Sequence, residues 1–137
     1  MGENIEMAKR YLQRLSEGAT AEDLGMSLAP DIVQQDFPNR LLPNGATRNL
    51  DAMKEGRRRG LALLREERFE VVNIFASGEN VAAEVIWTGT VREQAGPFAA
   101  GQVLRAHFAV FMDPLIVIPF LSLGTDCGRL EEMMPCQ

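Results

Sequence analysis

The chain of 137 residues has little of what most catalytic and metal-binding motifs are built from: one histidine, two cysteines, one tyrosine and one tryptophan. Cys127 and Cys136 are too few for the disulfide framework of a small secreted domain and fit a reducing compartment. With His107 alone and both cysteines late, zinc-ligand spacing is missing, and no metal or other cofactor is expected. No glycine-rich phosphate loop occurs, and none of Ser16, Ser27, Ser77 and Ser122 sits in a G-x-S-x-G elbow. An excess of positive charge is also lacking. Fourteen basic residues against nineteen acidic ones leave a net charge of −5, which argues against nucleic acid as a partner. The longest apolar run, 115–121, is far short of the roughly 20 residues a membrane span needs. Positions 1–17 carry Glu3, Glu6, Lys9, Arg10, Arg14 and Glu17, not the apolar core of a signal peptide. The expectation is a cytoplasmic protein with no membrane partner.

What is present suits one globular domain over 1–137, with 46% hydrophobic and 24% charged residues. Ile5, Ala8, Leu12 and Leu15 recur at helical steps and Gly18 ends that segment. Thr20 followed by Asp23 is a capping signature for a second, shorter helix that stops at Pro30. A short strand over 31–37 leads into an irregular loop through Pro38, Pro43 and Gly45. Asn49 caps a third helix, whose buried stripe would be Leu50, Met53, Leu61 and Leu64. Its basic cluster of Lys54, Arg57, Arg58, Arg59, Arg65 and Arg68 is interleaved with Glu55, Glu66 and Glu67, which reads as a solvated face. From Phe69 the period becomes two, giving strands over 69–76, 81–92, 102–112 and 115–123, the first two joined by a turn at 77–80. Pro119 should make the last strand an edge or break it. Helices followed by an antiparallel meander indicate an α+β fold with the helices on one face of a curved sheet.

In 104–111 the alternation puts Leu104, Ala106, Phe108 and Val110 on one face and Arg105, His107, Ala109 and Phe111 on the other. The charged face should reach water or line a polar spot in a cavity, because an unpaired buried charge is costly. The apolar face, with Ile86, is the expected outer surface, pairing two copies into a homodimer. Acid/base chemistry without a cofactor, using one or two groups in an apolar pocket, is the reaction type left open.

The segments DIVQQDFP at 31–38, VAAEVIWTG at 81–89 and LRAHFAVF at 104–111, with the helix between the first two, resemble the SnoaL-like branch of the NTF2-like superfamily. The resemblance implies a cone: a strongly bent antiparallel sheet closed by N-terminal helices around a deep pocket. Relatives of this kind include ketosteroid isomerases, polyketide cyclases, limonene epoxide hydrolases and scytalone dehydratases, besides binding domains without activity. By analogy with the epoxide-hydrolase branch, Gln34 and Asp36 hold the positions of a polar pair on the first strand. Arg105 and His107 stand where that branch has an Arg-x-Asp step, and Asp126 stands for its late aspartate. The resemblance thus implies a catalytic set of Asp36, His107, Arg105 and Asp126, with Asp36 and His107 as an acid–base pair. Tyr11 on the first helix and Trp87, with Val85 and Gly89 on its face, are candidates to wall such a pocket, with plain core as the alternative; with Gln34 and Phe111 they are the expected contacts to an apolar oxygenated small molecule. The segment 113–137 departs from the family pattern. A non-catalytic ligand-binding or assembly domain is the alternative.

Overall fold

The computed structural model describes residues 2–38, 43–113 and 116–121. Helix α1 (Gly2–Ser16) buries Ala8, Leu12 and Leu15, and Gly18, at φ 91°, ends it in the left-handed region. Helix α2 (Ala21–Ser27) opens with a complete capping box: Asp23 N–H donates to Thr20 Oγ1 and Thr20 N–H to Asp23 Oδ2. Strands β1 (Val33–Asp36) and β2 (Ala46–Arg48) precede α3 (Leu50–Leu63), which Asn49 caps through Ala52 N–H. Strands β3 (Leu64–Ser77), β4 (Asn80–Val91), β5 (Val103–Asp113) and β6 (Ile116–Leu121) follow.

The six strands form one sheet in the order β2-β1-β6-β5-β4-β3, antiparallel throughout except between β1 and β6. Irregularities at Leu64/Glu66 and Val71/Asn73 interrupt the long β3–β4 ladder, and extra residues of this kind bend and twist a strand. Leu12, Leu15, Leu24, Ile32 and Met53 meet Ala83, Val85 and Val110 in a core against one face of the sheet. The edge strand β3 is covered on that side by α1, and Phe69 N–H donates to Ser16 Oγ at 2.8 Å. Covering an edge donor in this way protects it from pairing with another chain.

Three sequence expectations need correction. The stretch 46–48 is a strand rather than loop, too short for any alternation to show. The third helix ends at Leu63, so Leu64, Arg65 and Arg68 belong to β3. Arg57 is not on a solvated face: it is 9% exposed and ion-paired with Glu67. A fourth concerns Pro119, which neither breaks β6 nor makes it an edge: the strand runs between β1 and β5, and Pro119 lies beyond the β1 pairing described, which reaches Gln34–Val117. Its position next to Val110 of β5 therefore has no described neighbour on the β1 side.

Candidate functional site

The register decides which side chains share the helix-covered, concave face. Val85 opposes Phe108, Trp87 opposes Ala106 and Ala83 opposes Val110. Val85, Ala83, Phe108 and Val110 all pack in the helix-covered core. Gln34 joins this face, because it pairs with Val117, which pairs with Met112, which pairs with Val81. Asp36, two residues on, points the same way. Leu104, Ala106, Phe108 and Val110 therefore face inward, reversing the expected outer surface. Arg105, His107, Ala109 and Phe111 face outward, beside Ala82, Glu84, Ile86 and Thr88. Strand alternation sorts residues into two sets without saying which set the helices cover; the larger apolar set is buried because that removes more apolar surface from water.

The expected Asp36–His107 pair does not form, since the two lie on opposite faces of the sheet. His107 Nε2 lies 2.6 Å from Glu84 Oε2, a diagonal neighbour across the β4–β5 ladder. Arg105 shares that outer face, and Phe111, 48% exposed, borders a shallow hollow of ≈ 310 Å³ with Phe75 and Ala82 at the sheet's end. Asp126 lies outside the described residues.

On the helix side, α1, the end of α2 and the sheet border an open-mouthed cavity of ≈ 310 Å³. Its walls are mostly apolar, with Ala8, Leu28, Ala29, Ile32, Val81 and Met112 among them, and Tyr11 enters from α1. Among the described residues the Tyr11 hydroxyl has no hydrogen-bond partner. Burial pushes its pKa up to about 12, with the nearby Arg57 charge opposing the shift. A phenol so placed stays protonated and can donate to an oxygen in the cavity. Because the chain has one tyrosine, alkaline titration of phenolate absorbance reads this group directly, and a midpoint near 12 is expected. Folded-state protonation persists above the unfolded pKa, so the associated stability is complete below about pH 10. It is lost as the pH rises toward 12.

Gln34 and Asp36 are held together on β1. Gln34 Nε2 donates to Asp36 Oδ1 at 3.3 Å, and Arg48 of β2 forms an ion pair with Asp36 Oδ2. Asp36 is mostly buried, its side chain 12% exposed. Backbone approaches this pair closely: Gly45 has φ 68°, and a Cβ there would lie 2.5 Å from Asp36 O. Arg48 is a site residue that sequence reasoning missed, because a lone arginine in a proline-bounded stretch carries no motif. Gln34 and Asp36 do not line the cavity: strand β6 stands between Gln34 and Met112, which does.

Trp87 also faces inward, and its indole Nε1 donates to Glu67 Oε2 at 2.8 Å. Glu67 takes its ion pair from Arg57, which also donates to Leu15 O at 3.0 Å and Ala19 O at 2.6 Å. This buried network joins α1, α3, β3 and β4. Gly89 makes room for it: a Cβ there would stand 2.6 Å from Trp87 Cζ2 and 3.1 Å from Leu64 Cδ2. Gly89→Ala is therefore expected to displace the indole and cost about 1–3 kcal/mol, measurable by urea unfolding. Another hollow, ≈ 900 Å³, runs along edge strand β3 and is lined from both sheet faces, by Phe69 and Val71 but also by Arg68, Thr88 and Val103. Its lining is nearly as polar as apolar, whereas the smaller Tyr11 cavity is walled mostly by apolar groups, as ligand sites are.

No protein of curated function matches the chain. Several solved structures share its fold. IdmH from Streptomyces antibioticus, a candidate polyketide cyclase, is 14% identical with TM-score 0.75, covering 95% of this chain and 97% of its own. An LEH-like epoxide hydrolase from M. tuberculosis is 14% identical with TM-score 0.71, over 96% and 92%. A protein with a ketosteroid isomerase-like fold from Catenulispora acidiphila is 15% identical with TM-score 0.68, over 90% and 91%. At these identities the likeness establishes the fold and not the reaction. The family model of the SnoaL-like domain matches residues 8–114, and the chain belongs to that family.

Proposed function

We propose that the chain is a small-molecule enzyme of the SnoaL-like type that works by acid/base chemistry without a cofactor. Its reaction is a cyclisation, isomerisation, hydration or hydrolysis of an apolar oxygenated substrate. The observation that carries this reading is the Tyr11 phenol, held protonated and without a described partner in an apolar cavity. Such a donor stabilises negative charge developing on a substrate oxygen, and low-dielectric surroundings strengthen the interaction. Asp36 is the proton acceptor in this reading, oriented by Arg48 and Gln34. Trp87 is fixed by Glu67 and shapes the concave face rather than touching the reacting atoms.

The test is a screen of lactone, epoxide and enone substrates against wild type, Tyr11→Phe and Asp36→Asn. Turnover that needs both groups supports the enzyme reading, and turnover that survives both substitutions removes it. Tight binding with no turnover in any variant selects the binding-domain alternative. The ion pair that already occupies Asp36 gives that alternative its own support.

Pairing of two copies belongs to the same proposal, but through the corrected outer face. Phe75 and Phe111, 60% and 48% exposed, flank Ala82 in register, and Ile86 and Ala109 continue the patch. An apolar surface of this kind favours contact with a second copy. Sedimentation at micromolar concentration is expected to show a dimer. A single 15.2 kDa species would rule it out.

A further inference from the structure

The Tyr11 cavity is polarised along α1. Asn4 Nδ2 donates to Gly78 O at 3.0 Å, which brings the β3–β4 turn and Glu79 to the first turn of the helix. Val81 pairs with Met112, so Asp113 stands at that same end. From Asn4 to Arg14 the helix rises about 15 Å. At this far end Arg14 Nη1 donates to Ser27 Oγ at 3.2 Å. Arg10 lies one turn back on the same side and also lines the cavity. Among the described residues neither arginine has a carboxylate within ion-pair distance.

We propose that the ligand of this cavity is an apolar monocarboxylic acid, its carboxylate held at the rim by Arg14 and Arg10. Its body lies against Ile32, Val81 and Met112, with a second oxygen accepting from Tyr11. The inference rests on the cavity being the ligand site, as read above, and adds the charge and size of the ligand. Guanidinium groups match a carboxylate in both charge and fork geometry. Both arginines stand exposed at the rim, so water weakens the attraction and the apolar wall beside them supplies the rest of the binding. Glu79 at the other end disfavours a second negative group, which leaves one anionic end and one neutral end. A volume of ≈ 310 Å³ is at the small end of the ligand-site range and suits a one- or two-ring body.

Calorimetric titration with naphthoate and with the matched neutral ketone, acetonaphthone, tests this. Naphthoate is expected to bind about ten-fold or more tightly, as a charged hydrogen bond implies. Arg14→Gln, an exposed substitution, is expected to bring the ratio of the two affinities close to one. Equal affinities in the wild type overturn the proposal, as does a preference that survives Arg14→Gln combined with Arg10→Gln. Ala29→Trp fills the cavity and separates ligand binding there from its charge preference, its folding checked by circular dichroism. If it abolishes binding of both probes while the wild type shows no preference for the acid, the cavity stands and the charge assignment falls. If neither probe binds, or Ala29→Trp changes nothing, the cavity reading falls and takes the proposal with it.

Discussion

Arg57→Ala is expected to destabilise the protein by about 3–5 kcal/mol, the usual consequence of removing one partner from a buried ion pair. The guanidinium serves three elements at once, through Glu67, Leu15 O and Ala19 O. Side-chain exposures of 8% for Arg57 and 10% for Glu67 leave little water to replace it. After truncation the Glu67 carboxylate keeps only the Trp87 indole as a described partner and remains charged in a buried place. Against a total stability of roughly 5–15 kcal/mol, this loss is large. Thermal unfolding should show a fall in Tm on the order of 10–20 °C. Adding Glu67→Gln removes the stranded charge while keeping an acceptor for Trp87. The double variant Arg57→Ala with Glu67→Gln is thus expected to be more stable than Arg57→Ala alone, and the cycle to show coupling above about 1 kcal/mol. A change below about 1 kcal/mol for Arg57→Ala would mean that the pair is solvated.

The second large effect concerns turnover, once a substrate from the screen is in hand. Asp36→Asn keeps the side chain's shape and one of its two acceptor oxygens, loses the ion pair with Arg48 and removes a proton acceptor, so kcat/KM should fall on the order of 10²–10⁴. Tyr11→Phe removes one hydrogen-bond donor and no packing volume beyond the hydroxyl. A loss on the order of 10²–10³ in kcat is expected, with KM less affected because the bond strengthens only as charge develops. His107→Ala supplies the contrast. His107 is on the far side of the sheet, bonded to Glu84, so turnover should stay within a few-fold of wild type. Equal losses for His107→Ala and Asp36→Asn would contradict the face assignment on which the site rests.

Particular residues show where reading the sequence succeeds and where it stops. The Thr20–Asp23 capping box, the Asn49 cap and the Gly18 stop are local bonds among neighbours in the chain, and all three are legible in order. The three helices and the long strands follow from periodicity for the same reason. Arg57 is the opposite case. Its neighbours in sequence are charged, which suggests solvent, yet its partners lie ten residues away in β3 and near the end of α1. Arg48 is legible only once β2 pairs with β1, because three residues carry no period.

The sequence by itself determined an α+β fold, the starts of its helices, the two sets of alternating side chains on β4 and β5, and the family. Tertiary structure alone decided which set the helices cover, and so that Tyr11, Gln34, Asp36 and Trp87 share the concave face while Arg105, His107 and Phe111 do not. The physical reason is that alternation is a property of one strand, whereas facing is a property of the whole sheet. Which set turns inward depends on the total apolar surface removed from water when α1, α2 and α3 close over it, a sum to which no single strand holds the answer.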